Sequence, residues 1–319
     1  MKGSNLKTAF VFPGQGSQHA GMGKDFFEAF HQARLVMEEA SDTLGLDMNK
    51  LILGDDEKLL NLTENTQPAL LTVSMSILNV LERETGIKPL CVSGHSLGEY
   101  TANVFADSID FSKALLITKK RGIFMQEACP VGFGKMAAVI GLGRDVIKSV
   151  IEEVNLGCEN PLVFVANYNS PVQTVISGES LSIDRACEKL KEKGARRIVI
   201  LPVSAPSHTP FMEGAKKNLS AFFNDSWFRD AKIDIFSNAT SLNYTIKDDI
   251  IRFLLEQIVS PVRWDEIILN MEKLFGVNSF IEIGPSNVLG SLIKRIDKNA
   301  SVISVNNVSS LNELEKFIS

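Results

Sequence analysis

A serine flanked by glycines is the strongest chemical signal in the sequence. Gly94-His95-Ser96-Leu97-Gly98 is a G-x-S-x-G motif that follows an apolar strand pattern and precedes a helix pattern. A nucleophile elbow requires this context, because a tight strand-to-helix turn leaves room only for glycine at its flanks and lifts the serine hydroxyl above the sheet edge. We therefore predict that Ser96 is a nucleophile. The alternative is an ordinary glycine-rich turn between a strand and a helix.

A serine hydroxyl needs a base to become a good nucleophile, and the chain has four histidines. His31 falls on the solvent side of a helix pattern, and His19 lies in an early glycine loop. His95 adjoins the serine on the tight turn and is expected to point elsewhere. His208, at the end of the loop Ser204-Ala205-Pro206-Ser207-His208, follows the nucleophile in the chain, as the base does in elbow enzymes. A lone loop histidine is more often structural, but the elbow and the lack of rivals favour His208 as the base.

Arg121 is the only charge on an otherwise apolar stripe of a predicted helix. The residues three and four positions away from it are Ile117, Thr118, Phe124 and Met125. An unpaired buried charge is costly, so Arg121 needs a partner. A structural carboxylate would satisfy it, and a substrate carboxylate held by the guanidinium fork would do so equally well. Spacing alone leaves both alternatives open.

Composition and charge exclude several classes of protein. The 319 residues are 45% hydrophobic, which suits one large domain with an insertion or two unequal domains. A net charge of −5 argues against nucleic acid as a partner. The four cysteines have neither CxxC nor metal-ligand spacing, so we predict free thiols and no metal site. The first apolar run, residues 9–12, is too short for a signal peptide, and no apolar run reaches the ~20 residues of a membrane span. We expect a cytoplasmic protein without membrane contact.

The elements that must position these side chains follow an α/β pattern with a mainly parallel sheet. One helix is predicted over residues 26–44, stopped by Gly45, and a second over residues 68–86, starting at Pro68. Strand patterns that would form one sheet occur at residues 8–12, 90–93, 233–236, 280–283 and 302–305.

The rhythm changes between residues 133 and 203. Strand and helix patterns follow each other there in the order β-α-β-β-α-β, at residues 135–140, 144–154, 163–166, 173–176, 183–193 and 196–203. This order is that of a ferredoxin-like unit, with a turn at Asn169-Ser170-Pro171 between its middle strands. We predict a hydrolase-like α/β core formed by residues 1–132 and 204–319, with residues 133–203 inserted as a small ferredoxin-like domain.

An ordered series of motifs resembles the malonyl-CoA:acyl carrier protein transacylases of fatty acid synthesis, over nearly the whole chain. Besides the elbow, the matching segments are Val11-Phe12-Pro13-Gly14-Gln15-Gly16-Ser17-Gln18, Thr66-Gln67-Pro68-Ala69, Arg121-Gly122, Asn167-Tyr168-Asn169-Ser170-Pro171, Pro206-Ser207-His208, Pro261-Val262-Arg263-Trp264 and Glu282-Ile283-Gly284-Pro285. The order of the series is far more specific than any one motif.

The resemblance implies an α/β core and a ferredoxin-like insertion, with the active site between them. It implies Ser96 as nucleophile and His208 as base, with the base oriented by the backbone carbonyl of Gln257 instead of by an aspartate. The amides of Gln15 and Leu97 are implied as the oxyanion hole.

The resemblance also implies the substrates. Arg121 would bind the malonyl carboxylate, and Asn167 and Asn169 would line the pantetheine channel. Malonyl-CoA would acylate the serine, and an acyl carrier protein would then accept the malonyl group in a ping-pong reaction of fatty acid biosynthesis. No cofactor is implied, and a monomer is expected.

Docking of the carrier requires a local basic patch, because carrier proteins are acidic and so is this chain. The candidates are Arg196 with Arg197, and Lys294 with Arg295. Scattered solvent-facing charges are the alternative interpretation of these residues.

Three other functions fit part of the sequence. A free-standing malonyl-specific acyltransferase of a polyketide synthase would use the same active-site residues. Arg121 and the lack of an obvious third triad acid argue against a thioester hydrolase. A non-catalytic scaffold that binds carrier proteins is disfavoured by the presence of Ser96, His208 and Gln15.

Overall fold

Two sheets organise the chain in a computed structural model, which describes residues 6–203 and 205–318. The strands are β1 Thr8–Phe12, β2 Cys91–Gly94, β3 Gly134–Ile140, β4 Val163–Ser170, β5 Gln173–Glu179, β6 Arg197–Ile200, β7 Asp234–Phe236, β8 Asn243–Tyr244, β9 Ser279–Ile283 and β10 Ser301–Val305. The α-helices are α1 Lys24–Ala29, α2 His31–Leu44, α3 Met48–Leu53, α4 Glu57–Leu60, α5 Thr63–Thr85, α6 Gly98–Phe105, α7 Phe111–Glu127, α8 Arg144–Asn155, α9 Ser180–Glu192, α10 Glu213–Phe222, α11 Lys247–Val259, α12 Trp264–Phe275, α13 Val288–Ile296 and α14 Val308–Ile318.

The larger sheet has six strands in the order β10-β9-β1-β2-β7-β8, and it is parallel except for the β7–β8 pair. Successive side chains of its central strand enter different cores, as strand alternation requires. Phe10 and Phe12 pack in the cluster that contains α5 and α7, whereas Ala9 and Val11 pack with α12 and α13. Burial on both faces explains why β1 is a continuous apolar run. The predicted mixed α/β fold with a mainly parallel sheet is confirmed.

The smaller sheet is antiparallel, in the order β4-β5-β3-β6, and its strands are contiguous in the chain. Helices α8 and α9 cover one face, where Ala137 and Val139 are buried. Met136 and Ala138, which alternate with them along β3, belong to a separate cluster on the opposite face. That second face turns toward the elbow and forms one wall of the cavity described below.

Both predicted helices before the elbow were wrong in extent. The segment 26–44 forms two helices, because Phe30 adopts an extended backbone with φ −122° and ψ 124°. Helix α5 begins at Thr63, upstream of Pro68. Side-chain hydrogen bonds from Asn65 to the Leu59 carbonyl and from Thr66 to the Leu60 carbonyl fix its first turn, so Pro68 lies inside the helix.

Other differences are smaller. Asn169 and Ser170 belong to β4, and the turn lies at residues 171–172 instead of at Asn169-Ser170-Pro171. The short strand β8 was not predicted. Ser204, the predicted boundary residue and the start of the His208 loop, lies outside the described residues, as do residues 1–5 and 319. In the described part of the chain, no helix combines the length and apolarity needed to cross a membrane.

Candidate active site

The elbow holds Ser96 in a conformation that is costly for a residue with a side chain. Its φ of 52° is left-handed, and strand β2 ends two residues earlier at Gly94. The Ser96 amide donates to Asn238 Oδ1 at 2.6 Å, and Asn238 Nδ2 donates to the Gly94 carbonyl at 2.7 Å. Asn238 lies just after β7, so these two hydrogen bonds tie the turn to the segment that follows β7. Sequence reasoning missed Asn238, which carries no local signal.

The two flanking glycines permit a close approach between backbones. A Cβ added to Gly98 would lie 2.0 Å from the Phe12 carbonyl oxygen. One added to Gly94 would lie 2.0 Å from the carbonyl carbon of Gly98. Each distance is far inside van der Waals contact, so Gly98 can lie against the end of β1, and Gly94 against Gly98, only without a side chain.

Gly98→Ala is expected to lower the free energy of unfolding by about 3 kcal/mol, because the added methyl group overlaps rigid backbone. Gly214→Ala is the matched control, since its Cβ meets nothing within 4 Å and it lies in helix α10. That change should be neutral or stabilising by up to ~1 kcal/mol. Urea unfolding of both variants checks the prediction, and equal effects would contradict it.

His208 contacts the serine hydroxyl. Its Nε2 lies 2.9 Å from Ser96 Oγ, and its Nδ1 lies 2.7 Å from the backbone carbonyl oxygen of Gln257. Because a carbonyl only accepts hydrogen bonds, Nδ1 carries the proton and Nε2 is left to accept from the hydroxyl. Burial, the largest cause, and the positive charge of Arg121 together lower the pKa of His208 to about 3. The imidazole is therefore neutral at pH 7, the form that can take a proton.

Arg121 is 2% exposed, and its guanidinium faces the same hydroxyl. Nη2 donates to Ser96 Oγ at 3.1 Å and to Gln257 Oε1 at 3.0 Å, and Nη1 donates to Gln67 Oε1 at 2.8 Å. Its Nε has no hydrogen-bond partner in the described part of the chain. No carboxylate within those residues forms an ion pair with Arg121. The structural-carboxylate alternative therefore has no direct partner, and the charge is available to a ligand.

A cavity of about 250 Å³ lies between the two sheets. Residues from both sides line it, including Gln15, Ser96, Arg121, Met136, Ala138, Asn167, Asn169, Gln173, Val175, Leu201 and His208. Both predicted channel residues, Asn167 and Asn169, thus reach the same space as Ser96. His95 also lines the cavity, and its Nε2 lies 2.9 Å from Asn169 Oδ1. Among the described residues, His95 makes no hydrogen bond to the Ser96 hydroxyl, so it does not compete with His208 for that group.

Of the two predicted oxyanion-hole residues, Leu97 lies within the elbow and Gln15 lies in the loop after β1. Leu97 is the N-cap of α6, where unpaired backbone amides are the rule. Gln15 lines the cavity, and its side chain donates to Thr63 Oγ1 at 3.3 Å. Within the described residues, neither backbone amide donates a hydrogen bond. Leu97 is buried and is not among the residues that line the cavity, so the oxyanion role of the two amides stays a prediction.

Of the four predicted docking residues, one lies on the cavity side of the small sheet and another contacts a residue that lines the cavity. Gln173, which lines the cavity, is paired with Ile140, and Ile140 is paired with Arg197. Residues directly opposite in antiparallel strands point to the same face, so the exposed Arg197 lies on the cavity side of the small sheet. Arg295 Nη1 donates to Gln173 Oε1 at 2.9 Å from the other direction.

The other two docking candidates, Arg196 and Lys294, are exposed, and neither is among the residues that line the cavity. The Lys294 ammonium donates to the carbonyl of Ala300 at 2.6 Å. Arg196 is exposed, and its backbone amide donates to the Ile140 carbonyl. No group of three or more potential metal-ligating side chains occurs within the described ranges.

The fold and the site together define a class of acyl-transfer enzymes in which an elbow serine is paired with a histidine. A family model described as the acyl transferase domain matches residues 9–313, and the chain belongs to this family of acyltransferase enzymes.

Relatives and solved structures are similar over almost their full lengths. The malonyl CoA-acyl carrier protein transacylase of Bacillus subtilis (strain 168) is 42% identical over 301 residues, which cover 94% of this chain and 93% of the relative. The transacylase structure from Coxiella burnetii superposes with a TM-score of 0.94 at 38% identity, over 98% of both chains. A malonyl-transacylase solved in complex with a type II PKS acyl-carrier protein gives a TM-score of 0.93 at 39% identity, over 97% of this chain and 99% of that one. The predicted family resemblance is confirmed.

Proposed function

We propose that the chain is a malonyl-CoA:acyl carrier protein S-malonyltransferase that works through a malonyl ester on Ser96. One observation carries the proposal: Ser96 Oγ lies 2.9 Å from His208 Nε2 and 3.1 Å from Arg121 Nη2. A nucleophile, a neutral base and a buried cation within one cavity suit an acyl group that itself bears a carboxylate. The names of the relatives support the same activity.

In the first half-reaction His208 Nε2 takes the hydroxyl proton as Ser96 Oγ attacks the thioester carbonyl. The amides of Gln15 and Leu97 stabilise the oxyanion of the tetrahedral intermediate. The carbon–sulfur bond then breaks, and coenzyme A leaves as a thiol after taking the proton from His208. The Gln257 carbonyl holds the ring throughout, and it stabilises the transient imidazolium through Nδ1.

The second half-reaction repeats these steps with the carrier's phosphopantetheine thiol. His208 takes the thiol proton, the thiolate attacks the malonyl ester, and Ser96 recovers its proton as the ester bond breaks. Product release of coenzyme A before carrier entry makes the kinetics ping-pong. Neither half-reaction changes an oxidation state, so the proposed mechanism needs no redox cofactor, and each of its steps is assigned to a side chain or backbone amide of this chain.

Arg121 is proposed to bind the malonyl carboxylate. Arg121→Ala should lower kcat/KM for malonyl-CoA by ~10–100-fold, since a hydrogen bond to a charged group contributes about 1.5–3 kcal/mol. Acetyl-CoA has no carboxylate, so its use should fall less. Lys120→Ala is the matched control, because Lys120 is an exposed cation on the same helix. An equal loss with both donors would remove the carboxylate role.

Asn167 and Asn169 are proposed to contact the pantetheine arm, which both coenzyme A and the carrier share. Their amide groups offer donors and acceptors along the cavity wall, and the arm carries two amides that need such partners. One channel would therefore serve both substrates in turn, as a ping-pong reaction requires.

Arg197 and Arg295 are proposed as the main docking cations for the acidic carrier, with Arg196 and Lys294 beside them. Arg197→Glu or Arg295→Glu should raise KM for the carrier about 5-fold, the effect of about 1 kcal/mol for an exposed ion pair. KM for malonyl-CoA should stay close to wild type. Arg83→Glu is the control. Arg83 is exposed at the end of α5. The strand that follows this helix, β2, carries the elbow at its opposite end. An unchanged carrier KM in both Arg197→Glu and Arg295→Glu would overturn the docking assignment.

The domain organisation is also a proposal. The order β4-β5-β3-β6 with two helices on one face supports a ferredoxin-like insertion over residues 133–203. The elbow after β2 supports a hydrolase-like core over residues 1–132 and 204–319.

We further propose a cytoplasmic monomer. All four cysteines are free thiols, which suits a reducing compartment, and sedimentation velocity tests the monomer.

A transfer assay tests the proposed function. The chain is mixed with malonyl-CoA and a holo acyl carrier protein of fatty acid synthesis, and the carrier is followed by mass spectrometry. Malonyl-carrier formation with release of coenzyme A is the expected result. Release of free malonate without carrier malonylation would identify a thioester hydrolase. A type II PKS carrier is the second acceptor, because one similar structure holds such a carrier. Exclusive transfer to that carrier would move the pathway to polyketide synthesis.

A further inference from the structure

A fully buried glutamate lies directly behind the elbow. Glu99 is 0% exposed, and it is not among the residues that line the cavity. Its Oε1 accepts from the Tyr244 hydroxyl at 2.9 Å. Its Oε2 accepts from the Asn238 backbone amide at 3.2 Å and from Gln257 Nε2 at 2.8 Å. These hydrogen bonds offset the cost of burying the carboxyl group of Glu99, yet the proposed mechanism gives this group no role.

The second oxygen of Glu99 is an acceptor in either protonation state. Burial raises the pKa of Glu99 to about 8 even though the hydrogen bonds from Tyr244, Asn238 and Gln257 and the charge of Arg121 act in the opposite direction. Since Oε2 already accepts from two N–H groups, a bound proton would lie on Oε1. Oε2 therefore always accepts from Gln257 Nε2.

The Gln257 amide connects Glu99 with Arg121. Its Nε2 donates to Glu99, and its Oε1 accepts from Arg121 Nη2 at 3.0 Å. A guanidinium only donates, so an amide between a fixed acceptor and a fixed donor has a single orientation. Gln257 Nε2 also donates to the Ser96 backbone carbonyl, but at the longer distance of 3.3 Å. If the acceptor at Glu99 were lost, this longer hydrogen bond alone would oppose a turn of the NH₂ group toward the guanidinium. Arg121 would then keep its bond to Gln67 Oε1 and lose the one to Gln257.

We propose that Glu99 is a positioning residue that fixes the Gln257 amide, and through it the guanidinium of Arg121, and so sets the preference for acyl groups that carry a carboxylate. This inference rests on the proposed function. It assigns the preference to a residue that touches neither substrate nor the reacting atoms. It also explains why a buried acceptor is placed on the far side of Gln257 from the cavity.

The test compares kcat/KM for malonyl-CoA and acetyl-CoA in four forms of the full chain. Glu99→Met removes the acceptor and should lower the malonyl-to-acetyl ratio about 10-fold, the effect of one hydrogen bond to a charged group. Glu99→Gln keeps an oxygen at the Oε2 position and should restore most of the ratio. Tyr244→Phe removes the donor at Oε1, and with it the acceptor of Asn103 Nδ2, but leaves Oε2 in place, so the ratio should stay near that of wild type.

Several outcomes would overturn the inference. These are a wild-type ratio in Glu99→Met, an equal loss for both donors, a ratio in Glu99→Gln as low as in Glu99→Met, or a comparable fall in Tyr244→Phe. If Glu99→Met does not fold, Gln257→Met tests the same connection, because it removes the amide and keeps the backbone carbonyl that holds His208. An unchanged ratio there would be equally decisive. Wild-type protein that fails to malonylate a carrier would instead refute the proposed function.

Discussion

Replacing Ser96 with alanine is expected to lower malonyl transfer about 10⁶-fold, the loss typical of removing the nucleophile from a serine–histidine pair. The alanine leaves the cavity, Arg121 and both backbone amides in place, so substrate should still bind. What disappears is the only oxygen that lies within contact of both His208 Nε2 and Arg121 Nη2 among the described residues. Carrier malonylation followed over minutes to hours measures the loss.

Ser93→Ala provides the matched serine control. Ser93 lies in the same strand-to-elbow segment, but its hydroxyl donates to the Phe236 carbonyl at 2.9 Å and is fully buried. Its loss should cost about 1 kcal/mol of stability and leave transfer within a few-fold of wild type. Ser96→Ala transfer at a rate comparable with Ser93→Ala would contradict the assignment of the nucleophile.

His208→Ala should lower transfer by about 10⁴-fold, at the upper end of the range for a general base. In the proposed mechanism the same ring acts as base toward the serine and as acid toward the leaving thiol, so both half-reactions lose it. The loss should appear in kcat, with KM for malonyl-CoA little changed. His31→Ala is the control, because His31 is exposed at the start of α2. A His208→Ala enzyme with more than a tenth of wild-type kcat would exclude the base role.

The pH dependence of acylation by the wild-type enzyme follows from the lowered pKa of His208. A histidine with an ordinary pKa would lose its base function as the pH falls through about 6.5. The pKa of His208 is lowered to about 3, so the neutral base persists well below that pH. Acylation of wild-type enzyme should therefore show no half-loss between pH 7 and pH 5, as measured by rapid-quench kinetics.

The sequence predicted the parts of the fold that depend on local pattern. The β1 run from Thr8 to Phe12 was predicted at its observed bounds, because a doubly buried parallel strand is apolar throughout. The elbow was predicted because its tight turn leaves no room for a Cβ at Gly94 or Gly98, so the requirement is visible in the residue types. The helix break at Phe30 was missed, since an aromatic residue at helical spacing carries no sign of an extended backbone.

The supporting residues of the site were harder to predict, because their contacts are distant in the chain. Asn238 is 142 positions from Ser96, and its amide side chain gives no hint of the turn it clamps. Glu99 resembles any polar residue at the start of a helix, and only tertiary packing buries it. Gln257 came from the family resemblance alone, since a backbone carbonyl that orients an imidazole leaves no mark on residue type.

Ser96, activated by His208, is proposed to carry the malonyl group between two thiols. Incubation with malonyl-CoA in the absence of carrier, followed by peptide mapping with mass spectrometry, tests it most directly. A single malonyl group on the peptide that contains Ser96, absent in Ser96→Ala and released on adding holo carrier, is the predicted result. Malonylation of a cysteine or of another serine instead, or a stable Ser96 ester that the carrier thiol cannot discharge, would contradict the account.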